Sequence, residues 1–118
     1  MGVEWTEYKG KRILYSDYSG IKQDSDSMKV LERQMVMIQQ AAEPVLLLVN
    51  LQDATLTPEM SLATKEKLSA AGAKVKKIGL VGITPIKSVI VKGIGREVGD
   101  LNQEIFPSME AAREWLIK

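Results

Sequence analysis

The sequence predicts an α/β fold with the element order ββαβαβαβα, in which a mixed, mostly parallel sheet carries an antiparallel N-terminal hairpin and about four helices. Apolar runs at residues 45–49 and 78–83 are each followed by a Thr-Pro pair, at residues 57–58 and 84–85. Threonine is a good helix N-cap and proline fits the first helical position, so each run is predicted to be a buried strand that leads into a helix. Strands that alternate with helices indicate a mostly parallel sheet.

The first two strands are predicted to form a hairpin. Residues 3–8 alternate between apolar and polar side chains, and residues 12–18 return after a turn at Lys9 and Gly10. Gly10 is expected to take the positive φ that a tight hairpin turn requires.

The first helix is predicted over residues 28–42. Residues 23–27 are rich in capping side chains and precede it, and Pro44 is expected to close it before the strand at residues 45–49. Apolar residues recur at helical spacing at Leu31, Met35, Ile38 and Ala42.

The second helix is predicted from Pro58 to about Ala71, with Gly72 as its C-terminal cap. Its inner face is expected to carry Met60, Ala63, Leu68 and Ala71. A strand follows over residues 77–83.

A further helix is predicted from Pro85, with an apolar stripe that includes Val89. A short strand is then predicted over residues 103–106, and Ser108 is expected to cap a closing helix. The closing helix should turn Ala112, Trp115 and Leu116 inward.

Composition narrows the class of protein. The 118 residues are 45% hydrophobic and 26% charged, as in a globular chain, and we interpret residues 1–118 as a single domain. A net charge of +1 argues against a dedicated nucleic-acid binder, and no apolar run is long enough to predict a transmembrane segment. The absence of cysteine fits a reducing cytoplasm, so we expect a cytoplasmic protein.

Catalytic templates are not met. Histidine and cysteine are absent, which excludes imidazole catalysis, thiolate nucleophiles and histidine-type zinc sites. Asp24 and Asp26 are more typical of solvated helix caps than of a cation site. We therefore expect no enzyme activity, no metal and no cofactor.

The element order and three stretches carry a resemblance to a known family. The stretches are residues 48–57 (LVNLQDATLT), 76–82 (KKIGLVG) and 105–116 (IFPSMEAAREWL). Together they resemble the STAS family of anti-sigma-factor antagonist-like domains, and in particular a divergent subgroup related to CRAL-TRIO-like lipid-binding domains. The resemblance covers nearly the whole chain and implies a non-enzymatic regulatory role through a protein partner.

The resemblance also implies a phosphorylated hydroxyl at the start of the second helix. The family's Asp-Ser-Ser-Gly pattern is absent, since residues 55–61 read TLTPEMS, and Thr57 and Ser61 are the nearest candidates. Capping alone explains Thr57, and we favour that interpretation.

Polar residues at strand ends predict a ligand or partner rim. Asp17, Asn50, Asp53 and Thr84 lie at or just after predicted strands, whose carboxyl ends share one edge of a parallel sheet. Asn and Asp are also common turn formers, so the alternative is a purely structural role.

Two surface patches are further candidates. Val30, Met37 and Ala41 widen the apolar arc of the first helix, which indicates either a partner or homodimer face or a helix buried broadly in its own core. Lys87, Lys92 and Arg96 form a candidate anion patch, with a solvated helix face as the alternative.

Two functions remain from the sequence. The leading one is a STAS-like regulatory or interaction module, with a role in bacterial signalling; the alternative is a carrier or sensor of a lipid or other apolar small molecule. A cavity of roughly a few hundred cubic ångströms would favour the carrier.

Overall fold

The computed structural model describes residues 2–85, 88–89 and 102–118, and over these residues the predicted element order is confirmed. Residues 72–74 form a short turn of 3-10 helix between the second helix and the fourth strand. The elements are β1 (Gly2–Tyr8), β2 (Lys11–Asp17), α1 (Asp24–Gln40), β3 (Val45–Asn50), α2 (Pro58–Ala71), β4 (Val75–Val81), β5 (Gln103–Phe106) and α3 (Met109–Leu116), the closing helix.

The five strands lie side by side in chain order, β1-β2-β3-β4-β5. β1 and β2 are antiparallel, and every later neighbour is parallel, as the sequence predicts. Lys9 and Gly10 have φ values of 50° and 82°. Two successive residues with positive φ match the hairpin turns whose twist suits paired strands.

Side chains alternate along each strand, so apolar residues lie on both faces of the sheet. Helices cover both faces. α1 and α2 pack on one face, over a core that includes Leu47, Val49 and Leu80. The closing helix packs on the other face, where Ala112 and Leu116 meet Ile13, Leu48 and Val81.

The predicted boundaries of two elements, α1 and β4, were wrong. α1 begins at Asp24 instead of residue 28 and has Ala41 as its C-cap, so it ends before Pro44 is reached. Asp24 and Asp26 therefore lie inside the first turn, where carboxylates complement the positive end of the helix dipole. β4 covers Val75–Val81 instead of residues 77–83.

Other boundaries are confirmed. α2 runs from Pro58 to Ala71, with the Thr57 side chain as its N-cap and Gly72, at a φ of 55°, as its C-cap. Ser108 caps the closing helix by accepting from the Ala111 amide. The helix predicted from Pro85 lies mostly outside the described residues, and its first hydrogen bond runs from the Ser88 amide to the Thr84 carbonyl (2.9 Å).

Two lysines, Lys74 just before β4 and Lys77 within it, bind the C-terminal ends of helices. Lys74 Nζ donates to the carbonyl oxygens of Gln39 (3.3 Å) and Ala41 (2.9 Å) at the end of α1. Lys77 Nζ donates to those of Trp115 and Lys118, each at 3.0 Å, at the end of the closing helix. A cation at the negative end of a helix is favourable, so these two lysines have a structural role.

Candidate functional site

The carboxyl ends of β2, β3 and β4 form one edge of the sheet, which we call the rim. Asp17 is the register partner of Asn50, and Asn50 is the register partner of Val81 on β4. Three of the four residues predicted for the rim, Asp17, Asn50 and Asp53, come from two adjacent strand ends and the turn that follows one of them. Thr84 follows β4 by three residues.

Rim side chains are engaged in local hydrogen bonds. Asn50 Nδ2 donates to the Tyr15 hydroxyl (3.1 Å), and Asn50 Oδ1 accepts from the Gln52 amide (3.0 Å). Asp17 Oδ1 accepts from the Ser19 amide (2.9 Å). Partial burial would raise the pKa of Asp17, but the hydrogen bonds from Ser19 outweigh it and the pKa is lowered. Asp17 is therefore a stable carboxylate.

The two loops at the rim are bonded to each other. They are the β2–α1 loop (residues 18–23) and the β3–α2 loop (residues 51–57). Lys22 Nζ contacts the carbonyl of Asp53, whose own φ is 57°. Backbone bonds of 2.9 Å join Tyr18 N to Asn50 O, Gly20 N to Gln52 O, and Thr55 N to Ile21 O. The rim is thus a preformed surface.

Gly82 allows β4 to leave the sheet next to the β3–α2 loop. Its φ is 79°, and a Cβ atom there would lie 2.3 Å from the Gln52 backbone nitrogen. Only glycine fits this approach, because both the conformation and the space exclude a side chain.

Thr57 uses both hydrogen-bonding capacities of its hydroxyl. Its Oγ1 accepts from the Met60 amide (3.2 Å) and donates to Asp24 Oδ2 (2.6 Å). A phosphate on this oxygen would remove the donor and place negative charge against the Asp24 carboxylate. The geometry agrees with the capping interpretation of Thr57.

Ser61, the second candidate phosphoacceptor, lies in the first turns of α2. Its Oγ is buried and has no hydrogen-bond partner. Ser61 lines a cavity between the sheet and the two helices α1 and α2.

The cavity has a volume of about 90 Å³. The sheet contributes Leu47, Val49, Ile78 and Leu80 to its wall, and α2 contributes Met60 and Leu68. This volume is well below the few hundred cubic ångströms expected for a carrier of large apolar molecules.

A buried polar pair lines the same cavity. Tyr18 and Gln34 are 7% and 3% exposed, and the Tyr18 hydroxyl donates to Gln34 Oε1 (2.8 Å). Burial raises the pKa of Tyr18 well above its usual range, so this hydroxyl remains a donor. Gln34 Nε2 contacts Met35 Sδ at 3.8 Å, a weak acceptor.

This pair was missed in the sequence, although one signal was present. Gln34 lies at helical spacing from Leu31 and Ile38, so a polar residue occupies the inner stripe of α1. A polar residue on a buried helix face requires a partner inside the protein.

The predicted partner face on α1 packs largely against the protein's own core. Val30 is 4% exposed and belongs to the core beneath α1, and Met37 and Ala41 are partly buried against it. For Val30 the structure therefore agrees with the interpretation of a helix buried broadly in its own core, and not with that of an exposed partner face. Among the residues that the structure describes, the large apolar side chains that are exposed are Val36, Leu62 and Val89.

The predicted anion patch cannot be placed, because Lys87, Lys92 and Arg96 lie outside the described residues. Within residues 2–85, 88–89 and 102–118, no group of three acidic side chains is arranged to hold a metal ion. Over the same part of the chain, no helix is both long and apolar enough to cross a membrane.

A hairpin followed by parallel strands, with α1 and α2 on one face and a closing helix on the other, defines a STAS-like α/β fold. The structure is similar to that of an uncharacterized protein of the DUF3478 family with a SpoIIAA-like fold, from Shewanella loihica PV-4. The TM-score is 0.75 at 11% sequence identity, over 98% of this chain and 92% of the other.

At this identity the likeness concerns the fold alone. It supports the prediction of a STAS-like fold and does not support the CRAL-TRIO-related subgroup. No family model matches the sequence, and no curated protein matches it.

Proposed function

We propose that this chain is a non-enzymatic STAS-like regulatory module that binds a protein partner through the rim. The observation that carries the proposal is the cross-bonded pair of loops at the rim, next to the N-terminus of α2. The resemblance to STAS domains implies regulation at that place. A surface held by backbone hydrogen bonds in the free protein loses little conformational entropy on binding.

The chemistry of the rim favours a basic partner. The β3–α2 loop and the first turn of α2 expose Asp53 and Glu59, and Asp24 lies beside them on α1, against the single lysine of the two loops, Lys22. Complementary charge speeds association and orients the partner, so the partner surface should carry Lys or Arg.

Photo-crosslinking in cells of the source organism tests this proposal. A photoreactive residue at Glu59 should yield an adduct of defined mass. The matched control is Glu7, an exposed residue near the hairpin turn at the opposite end of the sheet. The Asp53→Arg substitution should abolish the Glu59 adduct. Equal adducts from Glu59 and Glu7, or none from Glu59, would overturn the proposal.

The size of the cavity weighs against the alternative of a lipid carrier. A volume of about 90 Å³ is below that of ordinary ligand pockets, which begin near roughly 300 Å³. Native mass spectrometry of the purified protein decides between the two. The bare chain, as a monomer or a dimer, supports the module, and a co-purifying lipid would replace it with the CRAL-TRIO-like alternative.

A further inference from the structure

The cavity between the sheet and the helices α1 and α2 combines an apolar wall with polar groups that lack strong partners. We infer that it binds a small neutral molecule with one hydroxyl or carbonyl group, a role that is independent of the rim and of the partner proposed above.

The polar groups of the cavity have hydrogen-bonding capacity to spare. Gln34 can donate two hydrogen bonds through Nε2, yet its contact there is the Met35 sulfur at 3.8 Å. The Tyr18 oxygen can accept a bond while its hydroxyl donates to Gln34 Oε1. Buried polar groups without partners cost free energy, which a ligand or an ordered water recovers.

Ser61 adds a further polar group to the lining of the cavity. Its Oγ is buried without a hydrogen-bond partner, and it comes from α2, whereas Gln34 comes from α1. Both helices therefore contribute polar groups to one cavity. Its lining also includes Ser27, Thr55, Thr64 and Gln103, beside a larger set of aliphatic side chains.

The volume of the cavity sets the size of the ligand. A water molecule takes up about 30 Å³ of liquid, and an engineered apolar cavity of about 150 Å³ holds benzene. A cavity of about 90 Å³ therefore fits a molecule of roughly three to six non-hydrogen atoms.

The lining also sets the charge of the ligand. Among the described residues that line the cavity, none carries a charged side chain. A charged ligand would lose its hydration without gaining a counter-ion, which is strongly unfavourable. The ligand is therefore neutral, with an aliphatic body against Leu47 and Leu80 and a polar group toward Gln34.

Binding of isobutanol and of xenon to the full chain, followed by methyl NMR, tests this inference. Isobutanol matches the inferred class, and xenon is a purely apolar probe of the same space. Saturable shifts of the Leu47, Leu80 and Met60 methyl signals are expected with both probes. Their absence with isobutanol would overturn the inference.

Two variants on α2 locate the site. Ser61→Leu should fill the cavity and abolish the shifts caused by both probes. Ala70→Leu, which adds a large side chain at an exposed position of the same helix, should leave them unchanged. Ala54→Val narrows the cavity from the β3–α2 loop and replaces Ser61→Leu if that protein does not fold. Unchanged binding of the two probes to the filled variant would show that they do not bind in this cavity.

A variant on α1 tests the polar contact. Gln34→Leu keeps the bulk and removes the amide, so isobutanol should bind about tenfold more weakly while xenon binding is retained. Equal affinity of the native chain and Gln34→Leu for isobutanol would overturn the assignment of a hydroxyl or carbonyl ligand.

Discussion

Thr57 Oγ1 lies 2.6 Å from Asp24 Oδ2, so the hydroxyl that caps α2 also donates to the first turn of α1. One side chain thereby fixes the starts of two helices relative to each other. Both helices begin at the rim, so the bond also sets the relation between the two loops that form it.

Replacing Thr57 by alanine should destabilise the fold. Thr57→Ala removes both the N-cap and the bond to Asp24, and we expect a loss of about 1–2 kcal/mol in the free energy of unfolding. Thr57→Ser keeps the hydroxyl and should stay close to the native value. Urea denaturation measures both, and equal stabilities would show that the hydroxyl has no role.

Gly82 should tolerate no side chain. Gly82→Ala places a Cβ atom against the Gln52 backbone, and we expect a loss of more than about 3 kcal/mol. Gly20→Ala is the matched control, because Gly20 has a similar φ of 74° but no atom within 4 Å of the added Cβ. The control should lose only about 1–2 kcal/mol, the cost of positive φ for alanine. Similar losses would contradict the close approach.

Two serine-to-alanine changes should differ in their effect on stability. Ser16 is fully buried and its Oγ has no partner, so Ser16→Ala should be neutral or raise stability by up to about 1 kcal/mol. Ser108 caps the closing helix, so Ser108→Ala should lower stability by about 1 kcal/mol. Thermal denaturation of both proteins gives the comparison, and a destabilised Ser16→Ala would indicate a partner for that hydroxyl.

The contact of Glu114 with Lys9 and Tyr8 predicts a pH dependence. Hydrogen bonds from Lys9, and then from Tyr8 at 2.6 Å, lower the pKa of Glu114. A carboxyl whose pKa is lower in the folded state stabilises the fold at pH values above its ordinary pKa of 4.5. This stabilisation is lost as the pH falls through the pKa of the folded state.

The measurement is the melting temperature between about pH 6 and pH 3, which bracket the ordinary glutamate pKa. The native chain should lose more stability than Glu114→Gln over this range. The ion pair is largely exposed, so the difference should be small and should shrink in high salt. A steeper loss in Glu114→Gln would contradict the direction of the shift.

The strands, the hairpin turn and the helix caps could be predicted because each depends on neighbouring residues. The apolar runs before Thr57-Pro58 and Thr84-Pro85 and the turn at Gly10 are local signals of this kind. The start of α1 was misplaced because Asp24 and Ser25 are as typical of a cap as of a first helical turn, and the distant Thr57 hydroxyl favours the second.

The features missed in the sequence depend on distant partners. The clash at Gly82 involves Gln52, and the capping role of Lys74 depends on carbonyls of α1. The cavity likewise depends on how α1 and α2 are spaced above the sheet, and local sequence patterns do not predict that spacing.

The sequential order of the strands has a consequence for folding during synthesis. Each strand can pair with the one made just before it, but the three parallel pairs, such as Leu14 with Leu47, must wait until the long connection between their strands has been made. The closing helix follows all five strands in the sequence, so the contacts of Ala112 and Leu116 with Ile13, Leu48 and Val81 form only after those strands have been made. A nascent chain would therefore lack the cover that Ala112 and Leu116 give this face, and would be more prone to aggregation, until residues 109–118 have left the ribosome.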